Sequence, residues 1–170
     1  MTDTPTTLLA LCGGLDKNQL VKTPSVRDYI VSRCPWVMIR QIDDVGYEWG
    51  NIPNIESAIA KVKTENPSIV RVVAVGHSMG WITIKHAALA GLLDYMIALD
   101  PVGVPFVSKD MWPIINGIKQ PGDFCKANPT PFITQLYVSD GPEIRQVDCG
   151  HNELAHRQEV FDAVLAAVKG

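Results

Sequence analysis

The sequence predicts an α/β fold, a mainly parallel sheet of about five or six strands with helices on both faces. Two observations carry that expectation. Apolar, β-branched runs of strand length alternate with stretches whose apolar residues recur at helical spacing. At one strand-to-helix joint stands the pentapeptide Gly76-His77-Ser78-Met79-Gly80. The apolar run Ile69–Val75 precedes it and the helical stretch Trp81–Leu93 follows it.

Thr7–Cys12 reads as the first strand. Thr23–Arg33 reads as a helix with Pro24 in its first turn, where a missing N–H costs nothing. Val37–Ile42 is a second strand. Asn54–Thr64 follows as a helix, with Ile55, Ala58, Ile59 and Val62 on one face and Asn51 or Asn54 as its cap. After the joint at Ser78 come the strand Tyr95–Leu99, ending at Asp100-Pro101, and a strand over Phe132–Val138. A final helix spans about His156–Lys169, with Val160, Phe161, Val164, Leu165 and Val168 on its inner face.

A chain of 170 residues fits one domain, 1–170. Its net charge is −3 and no Lys or Arg cluster occurs, which argues against nucleic acid as a partner. No apolar window is long enough for a membrane span. The opening MTDTPTTLLALCGG lacks the basic start and cleavage pattern of an export signal, so a cytoplasmic location is expected. The four cysteines, Cys12, Cys34, Cys125 and Cys149, have no metal-ligand spacing and read as reduced thiols, with a disulfide open if the chain is exported. No histidine pair has zinc-ligand spacing, and neither a metal nor an organic cofactor is expected.

The letters G-x-S-x-G alone are weak, because such a match arises by chance in a plain surface turn. Strand before and helix after make the difference: this is the context of a nucleophile elbow, where a serine is held in a strained turn and the flanking glycines avoid collision with the neighbouring backbone. Ser78 would stand at the carboxyl end of a parallel strand, in front of a helix amino terminus that favours developing negative charge.

With GHSMG at 76–80, Ala98-Leu99-Asp100-Pro101 after the next strand, and Cys149-Gly150-His151-Asn152-Glu153-Leu154 before the last helix, the chain resembles a minimal α/β-hydrolase of the small esterase and lipase kind over most of its length. The resemblance implies a Ser-His-Asp triad of Ser78, His151 and Asp100. Asp140 occupies the more usual family position and Asp148 is close to His151, so the acid stays open among the three. The implied oxyanion donors are the N–H of Met79 and one from the loop after the first strand, Gly14 or Leu15, where Cys12-Gly13-Gly14-Leu15 stands for the family's His-Gly segment.

The remaining candidates have plainer readings beside them. His77 belongs beneath the turn and His86 in a helix. His156 rivals His151 but reads better as an end-of-loop or first-turn residue, and Cys149 as a nucleophile ranks below Ser78 because it lacks the elbow. Asp43 and Asp44 fall on the strand expected far from Ser78. Between Ser139 and His151 only about a dozen residues are available, as many as a parallel crossover needs for its connection alone. Either Glu143–Asp148 therefore pairs antiparallel with a Phe132–Val138 strand that itself runs downward, or Gly141–Cys149 forms an extended loop above the sheet.

The stretch 102–131 is Pro-rich and apolar, and is expected to cover the site as a small lid. Val104, Phe106 and Trp112 within it, with Trp81, are the candidate substrate-binding residues; completing the core is the competing role for all of them. Tyr47 and Trp49 stand under the same two readings. The expected activity is hydrolysis of a small-molecule carboxylic ester or thioester through an acyl-serine. The alternatives are an inactive hydrolase-like binding protein and an acyltransferase or amidase using the same triad.

Overall fold

A computed structural model describes residues 4–13, 19–42, 52–78, 80–99, 123–126, 144–147, 149 and 152–170. Among the described residues six strands form one sheet in which every pairing is parallel: β1 (Thr7–Cys12), β2 (Val37–Gln41), β3 (Arg71–His77), β4 (Tyr95–Leu99), β5 (Asp123–Lys126) and β6 (Ile144–Val147). Their order is β2-β1-β3-β4-β5-β6. The helices among the described residues are α1 (Val26–Val31), α2 (Ile52–Glu65), α3 (Gly80–Leu89) and α4 (Gln158–Lys169), with a 3₁₀ turn at Glu153–His156 before α4. None is long and apolar enough to cross a membrane.

Burial on both faces explains why β1 reads TLLALC without polar alternation. Leu8, Ala10 and Cys12 face one core layer, completed by Ile55 and Ile59 of α2 and Ile84 and Ala88 of α3. Leu9 and Leu11 face the other, completed by Val26 and Ile30 of α1 and Val160, Phe161 and Val164 of α4. Each layer is closed by helices whose apolar residues fall three and four apart, as read from the sequence. Leu165 lies at the margin of its layer, while Ala163 and Ala167 are buried in it.

β1 and β4 have the expected bounds. α1 starts later than expected: Ser25 is its cap, its hydroxyl accepting from the Asp28 N–H at 3.1 Å, and Pro24 precedes that cap. The capping hydroxyl satisfies an otherwise orphaned donor, which decides the start more strongly than the proline does. α2 begins at Ile52, so Asn54 is within the helix and not its cap; Asn51 lies outside the described residues.

α3 stops at Leu89 rather than Leu93. Gly91 adopts φ +73°, and the Leu92 N–H donates to the Ala87 carbonyl, a left-handed closure open to glycine at little cost. α4 is likewise shorter than expected, since the 3₁₀ turn occupies the stretch through His156.

The carboxyl half of the sheet departs further from expectation. β5 is Asp123–Lys126, a stretch inside 102–131 that carries no apolar run, and β6 pairs with it in parallel through Asp123↔Ile144 and Lys126↔Val147. Ile144–Val147 is thus a sheet strand and not an extended loop. Phe132–Val138 and the rest of 102–131 lie outside the described residues.

Candidate functional site

β3 runs further than its apolar run, through Gly76 and His77. Immediately beyond it Ser78 has φ +57°. For an L-residue this left-handed conformation costs about 1–2 kcal/mol and persists only where the surroundings enforce it. Two constraints do so. The Ser78 N–H donates to the carbonyl of Leu99, the last residue of β4, at 2.9 Å. The chain then turns at once into α3, bringing the Trp81 backbone back over Gly76.

Neither flanking position tolerates a side chain. A Cβ on Gly76 would lie 2.6 Å from the Trp81 Cα and 2.7 Å from its nitrogen. A Cβ on Gly80 would collide with the Cys12 carbonyl oxygen and lie 2.6 Å from that of Gly13. The obstacles are main chain, which no rotamer change can move aside. The main chain leaving β1 therefore presses directly against the start of α3.

Strand register brings three strand ends level. Cys12 pairs with Gly76, and His77 pairs with Leu99. All pairings being parallel, β1, β3, β4 and β6 all release the chain at the same edge of the sheet, the edge at which ligands of open α/β sheets bind. Ser78 is at that edge, 6 % exposed. Met79, Gly14, Leu15, Asp100, His151, Asp140 and Asp148 lie outside the described residues, as do Val104, Phe106 and Trp112, Tyr47 and Trp49, and Asp43 and Asp44. Asp100 directly follows Leu99 in sequence, Gly14 follows Gly13, and His151 comes four residues after the end of β6.

The strand pattern bears on the acid. The sheet neighbour of β4 on its far side is β5, and the first carboxylate after Lys126 is Asp140, fourteen residues on. Asp140 therefore does not follow closely on the strand beside β4.

Three of the four histidines are described. His77 is 2 % exposed beneath the turn. His86, on α3, is half-buried; burial lowers its pKa and Lys85 lowers it further, against the opposing pull of Glu56. His156 ends the 3₁₀ turn with both ring nitrogens engaged: Nδ1 is 2.6 Å from the Pro24 carbonyl oxygen, and Nε2 is 2.8 Å from the Gln19 carboxamide. An imidazole held at both nitrogens has no lone pair to offer a serine hydroxyl.

Trp81 is a core residue of the α2–α3 layer, 3 % exposed, so it presents no open surface to a substrate. The side chain beside it escaped the sequence reading. Lys85 is also 3 % exposed, with Nζ 5.1 Å from the centre of the Trp81 ring, and burial lowers its pKa. A detectable signal was present, since Lys85 falls four residues after Trp81 and three before Ala88, on the buried face of α3.

No protein-family model matches the sequence, and no curated protein matches it. Solved structures do resemble it. A Xanthomonas campestris protein assigned to the alpha/beta hydrolase superfamily superposes with a TM-score of 0.68 at 14 % identity, over 96 % of this chain and 98 % of its own. Est1E from Butyrivibrio proteoclasticus gives 0.68 at 12 % identity, over 100 % and 90 %. A second Xanthomonas campestris protein, an α/β serine hydrolase without a lid, gives 0.62 at 12 % identity, over 98 % and 86 %.

Proposed function

Because the chain has the α/β-hydrolase fold, we propose that it is a serine hydrolase cleaving carboxylic esters or thioesters through an acyl-Ser78 intermediate. The observation that supports this most is Ser78 itself: a non-glycine residue in a left-handed turn, between a central parallel strand and a helix amino terminus, flanked by two glycines that nothing larger can replace. Strain of this kind concentrates at sites where a side chain must be presented in one direction.

In this reading His151 takes the Ser78 hydroxyl proton as Oγ attacks the substrate carbonyl carbon. The carbonyl π pair moves to oxygen, and the resulting oxyanion accepts from the N–H of Met79 and that of Gly14, with Leu15 the adjacent alternative. The close approach of Cys12 and Gly13 to Gly80 supports assigning a donor to that segment. Collapse of the tetrahedral species breaks the bond to the alcohol or thiol, which leaves with the proton returned by His151. Water, deprotonated by the same imidazole, then releases the acid and restores Ser78. Asp100 holds the His151 tautomer and stabilises the imidazolium. It is preferred to Asp140 because it directly follows the residue whose carbonyl anchors Ser78.

Activity-based labelling tests the proposal. Intact protein should react with a fluorophosphonate and carry the adduct on Ser78, and Ser78→Ala should not react. Hydrolysis of p-nitrophenyl esters of graded chain length then defines the acyl preference. Folded protein that neither labels nor turns over beside a reactive control would point to a hydrolase-like binding protein. Turnover only with an added acyl acceptor, or on amides, would point to the transferase or amidase alternatives.

A further inference from the structure

The imidazole of His156 joins two segments that are remote in sequence. Pro24 offers only a carbonyl oxygen, so the His156 Nδ1–H donates to it at 2.6 Å. Nε2 lies 2.8 Å from Gln19 Oε1. A carboxamide serves either ring state: its NH₂ donates to a neutral imidazole, and its oxygen accepts from an imidazolium. Gln19 is 6 % exposed, and the residues beside the two partners, Leu20 on one segment and Leu154 and Ala155 on the other, are fully buried in the same core layer. Both ends of the bridge are therefore anchored, with the bond to Gln19 part-buried and the bond to Pro24 exposed.

The position of this bridge is what gives it meaning. Gln19 directly follows 14–18, the segment that holds Gly14 and Leu15, and His156 comes five residues after His151. We propose that His156 is a positioning residue: through Gln19 and Pro24 it fixes the loop after β1 against the loop before α4, so that the oxyanion donor on one and the base on the other keep a common geometry around Ser78. This rests on the serine-hydrolase reading above. The two loops leave different strands, β1 and β6, which are separated by three intervening strands in the sheet. The helices that follow them, α1 and α4, are joined through Tyr29 to Phe161 and Asp162, and the imidazole extends that contact towards the two loops, where an error of about 1 Å in placement costs on the order of 10²-fold in rate.

The test compares Gln19→Ala, His156→Ala, the double variant and the conservative His156→Gln, at a temperature where circular dichroism shows each to be folded. On a short-chain aryl ester, each single alanine variant should lower kcat by roughly 10- to 100-fold with KM within about twofold. The double variant should be no worse than the more damaged single one, and His156→Gln should recover part of the loss. Amide hydrogen exchange read on peptides covering 13–18 and 148–152 should accelerate in both segments for either single variant. Unchanged kcat in folded variants, a loss confined to thermal stability, or faster exchange only in the mutated segment would each overturn the proposal. If His156→Ala does not fold, Gln19→Ala carries the same readouts. Wild-type protein that fails to label at Ser78 defeats the hydrolase reading and the positioning role with it, whereas the exchange measurement decides whether the bridge couples the loops regardless of activity.

Discussion

The N–H of Ser78 donates to the carbonyl of Leu99 at 2.9 Å, tying the turn after β3 to the last residue of β4. The bond continues the β3–β4 ladder one residue past its last register pair, His77↔Leu99. It places the residue with the strained backbone beside the point where the chain enters Asp100.

Relief of that strain should be measurable. With Ser78 at φ +57°, Ser78→Gly should be more stable than Ser78→Ala by about 1 kcal/mol, because only glycine occupies the left-handed region without a Cβ penalty. Urea denaturation of the two variants checks this. Equal stabilities would mean that the turn relaxes once the hydroxyl is gone.

The glycines should be less forgiving. Gly80→Ala drives a methyl group into the Cys12 and Gly13 carbonyls, so it should destabilise the protein by about 1–3 kcal/mol or more and slow fluorophosphonate labelling. An exposed control such as Lys63→Ala on α2 should change stability by less than about 0.5 kcal/mol. Thermal melts and labelling rates on the same samples give both readings.

The proposed acid is open to a direct comparison. Asp100→Asn should reduce kcat by on the order of 10³- to 10⁴-fold, the scale on which an asparagine stabilises the wrong imidazole tautomer. Asp140→Asn and Asp148→Asn should each stay within a few-fold of wild type. If Asp140→Asn alone abolishes turnover, the acid comes from the segment between β5 and β6.

Lys85 should make stability depend on pH on the alkaline side. Burial lowers its folded-state pKa below the ordinary 10.5. Above pH 10.5 the amine is neutral in both states and imposes no penalty. As pH falls, the unfolded chain takes up its proton first, and stability declines until the folded-state pKa is reached, below which the penalty is constant. Wild-type protein should therefore gain stability as pH rises towards 10.5, by at most about 1.4 kcal/mol per unit from this group. Lys85→Met, which keeps the packing length beside Trp81, should lack that slope and be more stable by about 1–2 kcal/mol at neutral pH. Denaturation curves at several pH values test both statements.

Local chemistry determined much of this protein directly from its sequence. Apolar runs of strand length such as TLLALC and YMIAL fit strands buried on both faces, and helical periodicity identifies the layers that bury them. The parallel sheet and the principal helices were therefore legible, as was the sharp turn at Ser78, because the glycines on either side of it answer to backbone collisions within a few residues. Tertiary structure alone decided the pieces whose partners are distant. Asp123–Lys126 has no apolar signature and is a strand because β4 and β6 supply its hydrogen bonds. His156 became a bridge because Gln19 and Pro24 arrive from more than a hundred residues away. Residues held by neighbours in the chain announce themselves in its pattern; those held by contacts across the fold acquire their role only when long-range packing brings the partners together.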